Sequence, residues 1–343
     1  MLTMFAGFTQ GGGIGPLVSK YGLGADQVLE WEVVTGTGEL VKATPSDHPD
    51  LFWALRGGGG GTYGVVVSMT VKAYSDNVVS MAYLTILNNG INADALYSAV
   101  GTFIKTLPSI VDMGIYLSWV VAPFGFMLMP AVGPGFQDSD LDNILQPTVD
   151  EIHRLGLDYQ YSSTTHPNWL AAYGSTGSWN VSNHNLGGRL IPRSLVENEP
   201  DELLKAIRHI ASQAVMSGVT FNVANGVSSP DEVAVNPYLR ETLISAVVGT
   251  PIDYANFTAN AAAQDKVTHD LLPALEALLP NGGGYLNEAD FQQQNFQHVF
   301  YGDHYERLLQ IKRKYDPYDL FYAKTGVGSE SWEQQSDGRL CRV

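Results

Sequence analysis

The sequence predicts an α+β fold in which an antiparallel sheet is covered by helices. Between residues 96 and 278 the hydrophobic spacing gives the order helix, two strands, helix, and this order occurs twice. Such a repeat suits an antiparallel sheet with helices packed on it. The composition changes near residues 75 and 281, so we expect three parts, spanning residues 1–75, 76–280 and 281–343.

The first part is rich in glycine and in strand patterns. Residues 28–34 alternate, with Leu29, Trp31 and Val33 on one face and acidic side chains on the other, as in a half-buried strand. A Thr-Gly-Thr-Gly turn then predicts a hairpin. The elements expected after this strand are a strand at 39–43, a short helix at 49–55 that begins with proline, and a strand at 67–73.

The second part carries the repeated helix and strand pattern. Apolar residues at helical spacing predict helices, and short apolar or alternating runs predict strands. The expected helices are 96–107, 139–155, 203–214 and 258–278, and the expected strands are 114–121, 126–132, 219–223 and 243–248. Residues 160–199 are rich in Ser, Asn, Gly and Trp, so we expect long loops there.

The third part contains one clear amphipathic helix. Asp303 with Glu306 three residues later is a variant of the capping box, and it predicts that the helix begins there. The apolar spacing continues to Ile311, and Pro317 predicts the end of the helix. The basic run 312–314 lies on this helix and is expected to form a solvated face.

Charge and cysteine content exclude several classes of function. The formal net charge is −16, which argues against nucleic acid or an anionic membrane as the partner. The single cysteine, Cys341, excludes an intramolecular disulfide, a cysteine-based zinc site and a redox pair. His298 and His304 could lie near each other, but we expect ordinary surface or core histidines and no metal site. No run of about 18 apolar residues exists, and the amino-terminal stretch is a poor signal peptide.

Two glycine clusters stand near the amino end. Residues 59–64 match the G-x-G-x-x-G spacing, but a helix is expected before them and a strand after them. The dinucleotide fingerprint needs the opposite order, so we reject an NAD site of that kind. Residues 11–15 fail the same spacing, and no Gly-Lys pair exists for a phosphate-binding Walker loop. Two interpretations remain: tight turns, or a backbone surface that contacts a flat or anionic ligand, which we favour.

Both ends of the sequence resemble a known family. The stretches GGGIGPLVSKYGLGADQVLEWEVVT and PDLFWALRGGGGGTYGVVVSMTVKA resemble the second half of the PCMH-type FAD-binding domain of the vanillyl-alcohol-oxidase superfamily. The stretch that begins YLNEADFQQQNFQHVFYGDHYERLL resembles the segment diagnostic of berberine-bridge-enzyme-like oxidases. The resemblance implies bound FAD, a partial FAD-binding domain in residues 1–75, a substrate domain in 76–280, and a carboxyl-terminal segment that returns to the FAD domain.

The resemblance also implies site residues. Those expected beside the cofactor are Gly12, Gly13, Leu17, Tyr21, Gly22, Gly24 and Asp26, with Gly61, Thr62, Gly64 and Val66 on the adenosine and diphosphate side. Tyr285 and Asn287 match the Tyr-x-Asn of the family, whose asparagine is expected to bond the flavin while the tyrosine lines the site. Plant relatives can carry a tyrosine base after that asparagine, where this chain has Glu288. Glu288 is therefore either a base or an acid at a helix start, and Tyr285 is a candidate to polarise a substrate hydroxyl.

Departures from the family pattern leave two functional hypotheses. Relatives carry an amino-terminal subdomain with the diphosphate loop and a histidine that holds FAD covalently, so we expect this chain to be truncated. Ile14 and Gly15 stand where relatives often have His and Ser. The first hypothesis is an FAD-dependent oxidase that takes hydride from an alcohol, sugar or secondary metabolite and is reoxidised by O2. The alternative is a non-catalytic remnant or binding module without flavin. The expected partner is a small molecule; relatives are commonly secreted, and the oligomeric state stays open.

Overall fold

The computed structural model describes residues 7–87, 90, 92–175, 183–224 and 228–343. Its helices are α1 (Val18–Tyr21), α2 (Pro49–Ala54), α3 (Ala93–Asp112), α4 (Asp138–Arg154), α5 (Trp169–Gly174), α6 (Arg193–Asn198), α7 (Pro200–Ala211), α8 (Phe257–Lys266), α9 (Leu272–Glu276), α10 (Phe296–Tyr301) and α11 (Tyr305–Tyr315). Its strands are β1 (Val28–Thr35), β2 (Leu40–Ala43), β3 (Gly64–Val71), β4 (Val79–Leu87), β5 (Tyr116–Ala122), β6 (Gly125–Pro134), β7 (Gln160–His166), β8 (His184–Pro192), β9 (Val215–Thr220), β10 (Thr242–Pro251), β11 (Trp332–Gln334) and β12 (Leu340–Arg342).

The largest element of the fold is a seven-stranded sheet with the order β7-β4-β6-β5-β9-β10-β8. Every neighbouring pair in it is antiparallel. Helices α3, α4, α6, α7 and α9 pack on one face, where Phe103, Trp119 and Phe126 are buried in the core. The predicted α+β class, with an antiparallel sheet covered by helices, is confirmed. Among the described residues the other face, which we call the open face, carries no comparable layer of several helices. Helix α5 and residues near Val18 and Phe221 cover one end of it, where Met81, Tyr116 and Val132 are buried.

A second core surrounds the three-stranded sheet β2-β1-β3. Trp31 of β1, Trp53 of α2, Phe300 of α10 and Leu308 of α11 are buried in it. Helix α2 precedes the glycine run and β3 follows it, as expected. Residues near the carboxyl end therefore pack against residues near the amino end, although the exact domain boundaries stay a prediction.

The prediction of loops over residues 160–199 is wrong, because this stretch contains β7, α5, β8 and α6. Strand β7 lies at an edge of the sheet and consists largely of Ser and Thr, so it lacks apolar alternation. In β8, a Cβ on Gly187 would meet Leu272, and a Cβ on Gly188 would meet the Ala246 carbonyl. The glycines that suggested a loop are required for close packing within a strand. Strand β4 was not predicted either.

Other differences are local. Strand β9 begins four residues before the expected range, and a π-helical turn, Val267–Leu271, interrupts the helix expected at 258–278. Leu29 is exposed, because a register irregularity follows Val28 in the pairing of β1 with β3. Helix α11 has no side-chain cap, since a 3₁₀ turn ending at His304 leads into it, so the capping-box prediction is wrong.

Lys312 is not on a solvated face, which corrects the prediction for the basic run. Its side chain is buried, and its Nζ donates to Asp316 at 2.7 Å and to the carbonyls of Thr62 and Phe321 at 3.0 and 2.8 Å. Arg313 and Lys314 are exposed, as expected. The buried ammonium therefore ties α11 to the end of the glycine run.

Candidate functional site

The first glycine cluster packs against the Tyr-x-Asn segment. The backbone N–H groups of Gly13 and Ile14 donate to Tyr285 Oη at 3.1 and 3.3 Å. A Cβ on Gly12 would lie 3.3 Å from the Tyr285 ring, and one on Gly11 would overlap the Asn287 amide. Glycine is thus needed here because protein side chains approach the backbone closely. From the sequence, these glycines were expected to contact a ligand instead.

Tyr285 is held as an oriented hydrogen-bond donor. Asn287 Nδ2 donates to Tyr285 Oη at 2.8 Å and to the Phe8 carbonyl at 3.1 Å. The phenol oxygen therefore accepts several N–H groups, while its own proton has no acceptor among the described residues. Burial, and then the charge of Glu288, raise the pKa of Tyr285 to about 12. The phenol is protonated at neutral pH and is available to donate to a bound molecule.

Glu288 ends a 3₁₀ turn, Leu286–Glu288, directly after these groups. Its carboxylate is partly buried and accepts no hydrogen bond from the part of the chain that the structure describes. Burial raises its pKa to about 7. The Glu288 carbonyl lies 3.5 Å from the point where a Cβ on Gly188 would stand. The segment therefore crosses the open face next to β8, and it brings there a carboxyl group poised to exchange a proton near neutral pH.

Tyr116, at the start of β5, belongs to the same site and was missed at the sequence level. It is 8% exposed and shares a buried cluster with Tyr285. Burial, and then the Glu288 charge, raise its pKa well above the usual value. The alternation of β5 could have indicated it, because Tyr116 and Ser118 face away from the core that holds Leu117 and Trp119.

The strip from residue 17 to residue 26 is joined to the first glycine cluster. Gly24 N donates to Gly13 O at 2.8 Å, and the Tyr21 ring stacks on Tyr74 at 4.2 Å. Gly22 has a φ of 89° at the end of α1, which favours glycine, and Leu17 precedes that helix and is half-buried. These positions form one ledge beside Tyr285, and their contact with a cofactor stays a prediction.

The Asp26 carboxylate is occupied by protein groups. It pairs with the buried Arg240 at 2.8 Å, accepts from the Leu23 N–H at 2.9 Å and is hydrogen-bonded by Ser228. A buried carboxylate engaged in this way fixes the backbone of the ledge. Whether Asp26 also runs beside a cofactor stays a prediction.

The second glycine run has both packing positions and open ones. A Cβ on Gly57 would overlap Val235, and a Cβ on Gly64 would lie 2.6 Å from Val33 of β1, so close packing requires these two glycines. Val66 packs against the core around β1. Gly61 is exposed at a φ of 66°, with nothing within 4 Å of an added Cβ. The open part of the run is therefore its middle.

That middle fits an anionic group such as a diphosphate. The N–H groups of Gly60, Gly61 and Thr62 have no acceptor among the described residues. Consecutive free N–H groups in a turn form a concave donor surface for anions. The Gly59 N–H donates to the Gln10 carbonyl at 3.0 Å, so this turn and the ledge adjoin each other. The residues present thus fit the diphosphate of a dinucleotide, which the N–H groups at 60–62 would hold.

The two histidines considered as metal ligands do not form such a site. His304 packs edge-on against Trp53, with 5.1 Å between the ring centroids, and His298 lies on α10. Throughout the described ranges, no cluster of three or more potential metal ligands occurs. None of the helices in those ranges is both long and apolar enough to cross a membrane.

Comparison with known proteins finds relatives over nearly the whole chain. Residues 284–328 match the family model described as berberine and berberine like. The chain is 42% identical over 340 residues to the FAD-linked oxidoreductase sor8 of Hypocrea jecorina, covering 98% of this chain and 59% of that protein. It is 35% identical to the VAO-type flavoprotein oxidase VAO615 of Thermothelomyces thermophilus, covering 98% of this chain and 60% of that protein.

Solved structures agree over nearly the whole chain. The crystal structure of the VAO-type flavoprotein MtVAO615 from Myceliophthora thermophila superposes with a TM-score of 0.88 at 34% identity, covering 98% of this chain and 63% of that one. A glucooligosaccharide oxidase from Acremonium strictum shares the fold, with a TM-score of 0.77 at 21% identity over 94% of this chain and 71% of that one. The chain spans about 60% of the length of the curated relatives it matches. Over residues 284–328 the chain is thus similar to berberine and berberine-like proteins, and over nearly its whole length it is similar to FAD-linked, VAO-type oxidoreductases.

Proposed function

We propose that this protein is an FAD-dependent oxidoreductase that oxidises a hydroxyl-bearing carbon of a small molecule. One observation carries the proposal: Glu288, with a pKa of about 7 and no hydrogen-bond partner among the described residues, lies near two buried phenols beside a glycine-lined ledge. Titratable groups perturbed by burial and gathered at one place are typical of catalytic sites. The names of the relatives supply the cofactor class.

The chain's own groups would handle the oxygen and its proton. Tyr285 donates a hydrogen bond to the substrate oxygen, because its O–H proton is free and its oxygen is fixed by N–H groups. Ionised Glu288 accepts the hydroxyl proton. A base with a pKa close to the working pH combines sufficient ionisation with sufficient basicity. Bound FAD would supply the redox step by accepting hydride from the same carbon, which becomes a carbonyl carbon.

Residues on the ledge and in the second glycine run would hold the cofactor. The N–H groups of Gly60 and Gly61 would bind the phosphates, and Asn287 and the ledge would contact the flavin ring. We propose O2 as the second substrate, which takes up two electrons and two protons and leaves as hydrogen peroxide. The proposed partner is a small molecule, consistent with the strongly negative chain.

FAD titration of the purified chain tests the proposal. We expect saturable binding of one FAD per chain, seen as quenching of flavin fluorescence, and bleaching of the flavin absorbance when an oxidisable alcohol is added without oxygen. Glu288→Gln should still bind FAD but bleach at least about tenfold more slowly, the range of general-base effects. A folded chain that binds no FAD would contradict the proposal and favour the non-catalytic alternative.

A further inference from the structure

We propose that the site takes an uncharged substrate whose apolar body lies across the open face toward Met127 and Met129. The proposal rests on the proposed function, since it names the substrate class for the same site. Such a site would exclude anionic substrates and bind sugars only weakly.

Strand register places one continuous row of side chains across the open face. The row begins beneath Glu288 at Gly188 of β8 and ends on β4. Its members pair across successive strands in the order Gly188, Val247, Ser217, Val120, Met127 and Thr85. Their neighbours Leu117, Trp119 and Met216 point into the helix-covered core, so the row itself faces the other way.

A parallel row lies beside the first and has the same character. It runs through Leu190, Ser245, Val219 and Ser118. The middle of both rows therefore consists of small side chains, of which Ser118, Ser217 and Val219 are half-buried while Val120 is buried. The three serines in the two rows give only a few hydrogen-bonding groups, and Ser245 is 1% exposed.

Larger apolar groups begin one strand beyond Tyr116. Met127 and Met129 are half-buried on β6, the neighbour of β5, and Tyr83 is half-buried on β4. Met127 pairs with Val120, four residues along β5 from Tyr116, so at about 3.3 Å per residue it lies more than about 10 Å from Tyr116. Only an elongated apolar body extends from the reacting position to Met127. Thioethers pack well against aromatic rings and adapt to irregular apolar shapes. This end of the face suits a ring system or a short hydrocarbon body.

Charge is absent from the strand positions of the open face. All residues of β4 to β10 are described, and none of those facing this side is Lys, Arg, Asp or Glu; Arg189 of β8 points to the helical side, where it pairs with Glu276. A charged substrate would lose hydration here without gaining a counter-charge, which costs several kcal/mol. A sugar would leave several hydroxyls unpaired, at about 1–3 kcal/mol each.

The test compares three probes on the folded, FAD-free chain by saturation-transfer NMR and calorimetry: naphthalenemethanol, naphthoate and cellobiose. We expect the neutral alcohol to bind at least about tenfold more tightly than either of the others, a difference of about 1.4 kcal/mol. Equal or tighter binding of naphthoate or cellobiose, or no binding of the alcohol, would overturn the proposal.

A matched pair of variants places the binding on the open face. Met127→Lys should weaken the alcohol and strengthen naphthoate, each by at least about tenfold, because it adds a positive charge to the proposed surface. Met113→Lys, at the exposed end of α3 on the helical side, should change neither affinity. If Met127→Lys fails to fold, Met127→Gln should still weaken the alcohol, and unchanged binding in it refutes the proposal. Since no flavin is present, this result is independent of FAD binding.

Discussion

The pKa of Glu288 makes a quantitative prediction about folding stability. Burial raises this pKa from the ordinary value of 4.5 to about 7 in the folded chain. The folded state therefore holds the proton more strongly than the unfolded state. The contribution of the protonated carboxyl to the unfolding free energy is fully present below pH 4.5 and is lost as the pH rises toward 7. Glu288→Gln removes the ionisation and keeps the shape of the protonated side chain.

The size of the effect follows from the shift. By linkage, the shifted pKa of Glu288 lowers the unfolding free energy of the wild-type chain by about 1 kcal/mol at about pH 5.5 and by about 3 kcal/mol at about pH 8.5. Both are upper values, because water reaches the partly exposed carboxylate. The stability of Glu288→Gln relative to wild type should thus rise by up to about 2 kcal/mol between these two conditions.

Urea unfolding at the two pH values measures this difference directly. Glu39→Gln serves as the control, because Glu39 is exposed in the turn between β1 and β2 and should show no such trend. A difference between Glu288→Gln and wild type that does not change with pH would refute the raised pKa of Glu288. A difference of the opposite sign would show that a cation faces the carboxylate.

Three further substitutions test the surrounding structure. Lys312→Met leaves the buried Asp316 carboxylate without its ammonium partner, so the unfolding free energy should fall by about 3–5 kcal/mol in thermal unfolding. Adding Asp316→Asn should restore part of this loss, and an unchanged midpoint in Lys312→Met would contradict the burial of the pair. Tyr285→Phe removes the acceptor of two backbone N–H groups and should cost about 1–3 kcal/mol in urea unfolding, whereas a neutral effect would mean that those groups find water. Gly11→Ala should weaken FAD binding at least about tenfold (about 1.4 kcal/mol) in a fluorescence titration, while Gly7→Ala should leave it unchanged. Equal affinities in the two variants would contradict a role of the ledge in FAD binding.

Long amphipathic elements were predictable, and elements at the edges of the sheet were not. The helices α3, α4 and α7 bury one stripe each, and that stripe is visible as apolar spacing in the sequence. Strand β7 shows no such stripe, because one of its faces and one of its edges meet solvent and Ser and Thr suffice there. Strand β8 was not predicted because its glycines are typical of loops. These glycines are needed for close packing against neighbours that are distant in sequence.

The site residues likewise include some that the sequence predicts and others that only the fold brings together. The Tyr-x-Asn motif singles out Tyr285 and Asn287 because both stand in one short segment. Tyr116 carries no local signal of function, since its role depends on a segment that reaches it only through the fold. Lys312 looked like part of a charged surface, although its partner Asp316 was one helical turn away.

The sequence alone determined the resemblance to FAD-linked oxidases, the α+β class, the glycine clusters and the candidate acid Glu288, because each of these depends on local spacing or on short motifs. Only the tertiary structure decided that Glu288 is partly buried near two phenols and that part of the glycine backbone serves packing. It also decided that the strand positions of the open face carry no charged side chain. Burial, proton affinity and cross-strand neighbours are properties of chain segments brought together by folding, so no single stretch of sequence contains them.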